Sequence, residues 1–461
     1  MSAPDPARRA AYDVLKAVRV DEAYTNLALP GALQRRGASG RDAAFATELA
    51  SGTIRWQGLY DAVLAACLDR ALTQVQAKVL DALRLGCHQL LSMRVPAHAA
   101  ISTTVDLVRS EVGPGASGFA NAVLRRVSEH DRDDWVRRVA ADPARDPVGF
   151  AVTAYSHPRW VVEALGEALG ASGDPDELEA LLAADNQAPS VTLVARPGRA
   201  TTRELPGERT AFSPYGVVSA GGSPSDVPAV VDGRAGVQDE GSQLVAHALA
   251  VAPLEGPDGL WLDLCAGPGG KAALLAALAA ARGARLVANE RQPHRAELVR
   301  RALAGADGVA EVTVEDGTTP PWPAGSFDRV LVDAPCTGLG ALRRRPEARW
   351  RRRREDLRDL VPLQRALLDS ALDLVRPGGV VLYATCSPVL AETRDVLGSV
   401  LVGRDDTRLA DTRALLTAAA GLRADVPDCA GPLTGTAQLW PHRHRTDAMF
   451  LALLRRSPTG R

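Results

Sequence analysis

The sequence predicts an α/β fold: a domain built on a parallel sheet with crossover helices, preceded by an all-helical domain and a small mixed α+β subdomain. Three observations predict it. Apolar residues recur at helical spacing through roughly the first 130 residues. From 234 to 457, short apolar runs alternate with helical stretches, the pattern of a parallel sheet with crossover helices. Between these regions, helical and extended patterns mix with Gly- and Pro-containing loops. The expected division is 1–130, a linker at 131–155, a subdomain at 156–233 and the sheet domain at 234–457.

Helical spacing marks Ala10–Val20, Ala43–Ile54, Leu59–Leu68, Gln74–Met93 and Ile101–Val112, and a short helix at Gly118–Arg126 closes the first domain. Arg8-Arg9-Ala-Ala-Tyr12, Arg41-Asp42 with Glu48-Leu-Ala-Ser-Gly52, and Phe119-Ala-Asn121-Ala-Val-Leu124-Arg125 resemble the NusB-like RNA-binding helical domain. A generic bundle, or one that binds protein, stays open. Residues 131–155 are charged, carry Pro143 and Pro147, and read as a linker or a peripheral helix. Trp160–Leu169 and Glu177–Ala184 read as helices, Ser190–Val194 and Phe212–Val218 as extended chain. Strands are expected at Leu260–Leu264, Leu286–Ala288, Val312–Val314, Val330–Val332 and Val380–Tyr383, with helices at Gly270–Ala281, His294–Leu303 and Leu357–Val375. Ligands of such sheets bind beyond the carboxyl ends of the strands, so chemistry is expected in the loops that follow them.

Bulk composition excludes several classes. With 46% apolar residues the chain is not globally disordered. A net charge of −1, from 54 cations and 55 acids, excludes a uniformly basic nucleic-acid binder but not a local patch. The N-terminus places charges and prolines where a signal peptide needs an apolar core. The longest apolar run, Ala272–Ala281, is about half the roughly 20 residues a membrane span needs. A soluble, cytoplasmic protein with no membrane partner is expected. Cys67, Cys87, Cys265, Cys336, Cys386 and Cys429 form no C-x-x-C pair, so neither a metal site nor disulfides are expected.

Leu262-Asp263-Leu264-Cys265-Ala266-Gly267-Pro268-Gly269-Gly270-Lys271 leaves a strand and opens a helix. A P-loop would need Gly at Cys265 and Ser or Thr at Ala272, so that reading fails. A dinucleotide fingerprint fits loosely as Gly267-x-Gly269-x-x-Ala272 with Glu290 beyond the next strand. The third reading is an S-adenosylmethionine loop of the same geometry, with Glu290 accepting from the ribose hydroxyls and Asp316 meeting the adenine amino group.

Two further loops carry Asp333-Ala-Pro335-Cys336 and Tyr383-Ala-Thr385-Cys386-Ser387-Pro388. Taken alone, a cysteine after a strand is most often a buried small hydrophobe. Together with the glycine loop, and with Val237-Gln238-Asp239-Glu240-Gly-Ser242-Gln243 before it, these motifs resemble the RNA cytosine-C5 methyltransferases. The fused NusB-like domain resembles the bacterial branch that methylates 16S ribosomal RNA. Departures are Gly267 and Ala272, where the family more often has Ala and Thr, Ala391 for Asn, and Asp447-Ala-Met-Phe450 for Asp-Gly-Phe-Phe.

The resemblance implies a Rossmann-like S-adenosylmethionine methyltransferase domain and a covalent mechanism. Cytosine C5 is a poor nucleophile until a thiolate adds to C6. Cys386 is implied as that nucleophile, Cys336 as the thiol assisting release, and Asp333 as the carboxyl facing N3, which desolvation would help to keep protonated. Lys271, one of only three lysines, is implied near cofactor and base. Cys265, Ala266, Gly267, Pro268, Gly269, Gly270, Lys271, Glu290, Arg295, Asp316 and Asp333 are the implied cofactor contacts.

Residues 340–358 carry +6, with Trp350 embedded in the run, and 441–461 carry +4, leaving −11 for the rest. Arginine beside an aromatic suits phosphate contact and base stacking. Arg343, Arg344, Arg345, Arg349 and Trp350 are therefore expected to bind RNA. The basic C-terminus, with His442 and His444, reads as a solvated tail. The expected enzyme is a monomer acting on a single-stranded or loop cytosine of 16S ribosomal RNA. Transfer RNA methylation, an NAD-dependent oxidoreductase on the same loop, and a non-catalytic RNA-binding assembly factor are the competing readings.

Overall fold

A computed structural model describes residues 5–420 and 426–458. It divides into two compact units. The first takes the chain up to Glu163 together with Leu182–Ala188 and Leu342–Arg352; the second takes Ala164–Leu181, Pro189–Ala341 and the chain from Arg353.

The first unit is helical: Pro6–Val20, Thr25–Arg36, Gly40–Arg55, Gln57–Ala66, Ala77–Leu91, Ala97–Glu111 and Ser117–Val127, then Arg132–Val139 and Pro147–Ala154. Leu49, Leu59, Tyr60, Leu64, Leu83 and Leu85 are fully buried at its centre. Thr25–Arg36 has no counterpart among the expected helices; its polar composition and internal Pro30 hide the period. Residues 131–155 form two helices, the second of the two readings open for this segment. Asp131 accepts from Asp134 N and Asp146 from Gly149 N, each satisfying a free first-turn N–H, and Trp135 is buried with its Nε1 donating to Val127 O.

In the second unit, β1 (Thr192–Ala195), β2 (Gly207–Arg209), β3 (Gly216–Ser219) and β4 (Ala235–Val237) form a small antiparallel sheet in the order β2-β3-β1-β4. The large sheet follows: β5 (Leu260–Asp263), β6 (Arg285–Asn289), β7 (Val309–Thr313), β8 (Phe327–Asp333), β9 (Val375–Thr385), β10 (Thr407–Leu409), β11 (Ala437–Leu439) and β12 (Met449–Arg456). Its order is β10-β12-β9-β8-β5-β6-β7, with β11 on β12. β5 to β9 pair in parallel, as expected, but β12 runs antiparallel beside β9, so the sheet is mixed.

The C-terminal segment is accordingly not a solvated tail. Met449–Leu454 is buried in β12. His442 and Arg443 bond Glu177 at 2.6 and 2.7 Å, and His444 is buried. Arg461 lies outside the described residues.

Residues on β5 alternate between two cores, as a strand's period of two requires. Trp261 packs with helices Glu240–Val251 and Gly270–Ala280, and Leu262 with Leu357–Leu374. The strand order reverses between β5 and β8, and at such a switch point the loops part and leave a crevice at the carboxyl ends. No helix of the described residues is long and apolar enough to cross a membrane.

Candidate active site

Strand register sets the site. Asp263 ends β5 opposite Leu331 of β8, and Asp333 ends β8 opposite Ala384 of β9. The loops carrying Lys271, Asp333, Cys336 and Cys386 therefore leave one edge of the sheet. Lys271 Nζ donates to Asp333 Oδ2 at 2.9 Å, across the switch point. Cys336 Sγ and Cys386 Sγ lie 3.5 Å apart. Gly340 N donates to Cys386 O and Ala448 N to Gly340 O, both at 2.8 Å, tying these loops to the approach of β12.

The electrostatics differ from group to group. Burial works against the Lys271 charge, but Asp333, with Cys386 and Asp263, outweighs it and raises the lysine above its ordinary value. Cys336 is pushed well up by its bond to Cys386, by burial, and by the negative charges around it. Asp263 is fully buried; among the described residues the Cys265 main chain acts on its carboxylate, and no side chain donates to it. Burial, then Asp333, pushes it up to about 8. The sequence reading gave Asp263 no role. An acid flanked by Leu262 and Leu264 on a buried strand was the available signal. Glu392, Gln364, Thr337 and Ser387, all buried beneath the cysteine loops, were missed as well.

The glycine loop wraps the end of β5. Ala266 N donates to Asn289 O at 2.7 Å, bringing the loop against β6. A Cβ at Gly267 would collide with Glu290 Oε2, and one at Gly269 would sit 2.6 Å from Ala302 Cβ in a left-handed conformation (φ +110°). Gly269 is therefore required by its left-handed backbone and close approach, whereas at Gly267 the Glu290 side chain would have to shift. Glu290 is buried, accepts from Gln292 N at 2.9 Å, and has Arg295 at 3.6 Å. Arg295 also donates to Gly267 O at 2.6 Å. Cys265 is half-buried, Pro268 and Gly270 are exposed, and burial pushes the Cys265 thiol well up. Asp316 accepts from Thr318 N and Oγ1, which holds its carboxyl below the usual range, and Arg291 stands 3.5 Å away.

The expected RNA surface at 343–350 needs correction. Within the helical unit, Arg349 is fully buried. Its guanidinium donates to Asn186 Oδ1 at 2.8 Å and to the carbonyls of Ser156, Asp185 and Arg55 at 3.1, 3.2 and 3.3 Å. Trp350 Nε1 donates to Ile54 O at 2.7 Å, and its ring fills the space beside Gly58. Arg343 is buried and Arg344 half-buried. Arg345 is exposed, with its guanidinium 5.3 Å from the centre of the Tyr24 ring. A guanidinium has five donors, enough to saturate a cluster of buried carbonyls, and Arg349 is used that way.

Comparison with known proteins shows the family. A family model described as 16S rRNA methyltransferase RsmB/F matches residues 248–455, and the NusB family model matches 5–129. A Mycobacterium tuberculosis chain named as a methyltransferase is 51% identical over 98% of this chain and 97% of its own. Ribosomal RNA small subunit methyltransferase B of Pseudomonas syringae is 34% identical over 88% of each chain. The chain belongs to the RsmB/F methyltransferase family. Among solved structures, PH0851 shares the fold with a TM-score of 0.78 at 24% identity, over 99% of this chain and 100% of that one. A methyltransferase homologue from Pyrococcus horikoshii does so with a TM-score of 0.53 at 20% identity, over 68% of this chain and all of its own. This RsmB/F chain thus joins a NusB-type helical region to a methyltransferase sheet whose switch point carries the Lys271–Asp333 pair.

Proposed function

We propose that the protein uses S-adenosylmethionine to methylate cytosine C5 in 16S ribosomal RNA, in the cytoplasm, through a covalent adduct between Cys386 and cytosine C6. The observation that carries this reading is the cysteine pair, 3.5 Å apart on the loops that follow β8 and β9, with the Lys271–Asp333 ion pair on the same edge of the sheet. A single nucleophile would explain one cysteine. Two thiols in contact suit a reaction that must both make and break a carbon–sulfur bond.

The residues present fit the cofactor. Gly267 leaves Glu290 Oε2 uncovered by any Cβ, Glu290 and Asp316 offer acceptors for hydroxyl and amino groups, and the buried carboxyl of Asp263 enters the same loop. Cys265, Ala266, Pro268, Gly269, Gly270 and Arg295 would complete the cradle. When bound, S-adenosylmethionine supplies an electrophilic methyl group.

The chain's own groups divide the remaining work. Lys271, charged and close to Cys386, stabilises the Cys386 thiolate, which adds to C6 and makes C5 nucleophilic. As charge develops on the ring, Asp333 takes a proton from Lys271, its partner at 2.9 Å, and donates it in a hydrogen bond to N3. Asp263, retaining its proton near neutral pH, supports a proton supply beside the Asp333–Lys271 pair. In the release step water takes the C5 proton, the C6–sulfur bond breaks, and Cys336, held as a thiol, donates its proton to the departing Cys386 sulfur. Arg345, Arg353, Arg354 and Arg358 are exposed and remain candidates for phosphate contact. The test is methyl transfer from labelled S-adenosylmethionine to unmethylated small-subunit RNA. Incorporation at cytosine is expected; labelled NAD binding without methyl transfer would overturn the reading.

A further inference from the structure

Glu392 sits in a short turn after β9 and is fully buried. Its carboxylate accepts four hydrogen bonds. Thr337 N and Gln364 Nε2 donate to Oε1 at 2.8 and 3.0 Å, and Thr337 Oγ1 and Ser387 Oγ donate to Oε2 at 2.5 Å each. Thr337 directly follows Cys336, and Ser387 directly follows Cys386. Gln364 Nε2 also donates to Pro335 O at 2.8 Å, on the other side of Cys336. The Glu392 main chain is fixed too, because Tyr383 OH donates to its carbonyl at 2.8 Å. One carboxylate thus holds both cysteine loops and the helix Leu357–Leu374.

A buried carboxylate is an expensive way to fill this space, since apolar residues of similar volume would often be at least as stable. What it adds is geometry and charge. Its bonds reach the residue after each thiol, so they constrain where the two sulfurs lie. Its charge also bears on Cys336. Glu392 and Asp333 both act on Cys336 to disfavour a thiolate there, whereas Lys271 interacts favourably with an ionised Cys386.

We propose that Glu392 is the positioning residue of the cysteine pair: it fixes the separation of the Cys336 and Cys386 loops and places a buried negative charge behind the Cys336 loop. The inference rests on the proposed division of labour between the two thiols.

Glu392→Gln preserves shape and hydrogen bonding, because the hydroxyls of Thr337 and Ser387 can accept from the new amide, but removes the charge. Alkylation of each cysteine by iodoacetamide, mapped by mass spectrometry on the full chain across roughly pH 6–10, reads the result. The Cys336 profile moves to lower pH. Turnover falls by about tenfold with KM nearly unchanged, the signature of a lost transition-state contribution.

Glu392→Ala removes all four bonds and tests distance. Diamide takes the two thiol hydrogens and becomes a hydrazine as the Cys336–Cys386 bond forms, and this cross-linking slows by about tenfold or more once the loops are no longer held. If Glu392→Ala fails to fold, Ser387→Ala severs one arm and takes its place in the cross-linking assay. A folded Glu392→Gln protein with an unmoved Cys336 profile, or loosened loops that cross-link at the original rate, overturns the proposal. These thiol readouts need no RNA. A wild-type protein that methylates no cytosine yet shows these shifts would overturn only the proposed function.

Discussion

Replacing Arg349 by methionine separates a buried strut from an RNA contact. Methionine keeps most of the volume and removes every donor. The guanidinium makes hydrogen bonds to four acceptors, three of them buried, at 2.8 to 3.3 Å. At about 1.5–3 kcal/mol for each bond to a charged group, these are worth roughly 6–12 kcal/mol gross. Part is offset, because burial pulls Arg349 down to about 9. From an ordinary arginine value, that means the dry cation costs about 5 kcal/mol at neutral pH. The expected net loss is about 4 kcal/mol, within the range for leaving one side of a buried polar cluster unpaired. Hydrogen exchange read by mass spectrometry localises it. Peptides covering Ile54–Gly58 and Tyr155–His157 lose protection by roughly several hundredfold, while those covering β8 keep theirs. RNA affinity, measured against salt with the fraction that remains folded, keeps its slope. Unchanged protection together with a salt slope reduced by about one phosphate contact would refute the assignment and restore Arg349 to the RNA surface.

Three further outcomes follow from the same geometry. Cys386→Ala abolishes methyl transfer, whereas Cys336→Ala accumulates protein covalently attached to RNA on a denaturing gel; no retarded band would remove Cys336 from the release step. Asp263→Asn changes how stability depends on pH. Because the folded acid is raised to about 8, the wild-type folded state holds a proton that the unfolded chain releases near pH 4, so its stability falls as pH rises from about 4 to 8 and then levels. The asparagine variant lacks this fall, and its melting temperature gains on wild type across that window; parallel curves would show that Asp263 is not held protonated. Gly58→Ala places a Cβ 2.6 Å from the Trp350 ring and destabilises the helical unit by about 1–3 kcal/mol in urea unfolding followed by tryptophan fluorescence.

Much of the fold is legible in local patterns. The strands β5, β6, β8 and β9 announce themselves because buried parallel strands are short continuous apolar runs bounded by loops, and the chemistry sits where such runs end. β12 was missed because Met449–Arg456 ends in two arginines after a basic stretch, and nothing local says that a strand inserts antiparallel beside β9. Arg349 was misread for a related reason. Sequence reports charge but not whether carbonyl oxygens converge on it, and the acceptors come from residues 55, 156, 185 and 186. The two cysteines were legible as a motif, but Glu392 was not, since its importance lies in bonds to Thr337 and Gln364, separated from it by 55 and 28 residues.

Bisulfite sequencing of 16S ribosomal RNA from cells with and without the protein tests the central claim most directly. A cytosine protected from conversion only when the protein is present, and unprotected again when it carries Cys386→Ala, is the predicted result. Identical conversion at every 16S cytosine in the two strains, or protection that survives Cys386→Ala, would contradict it.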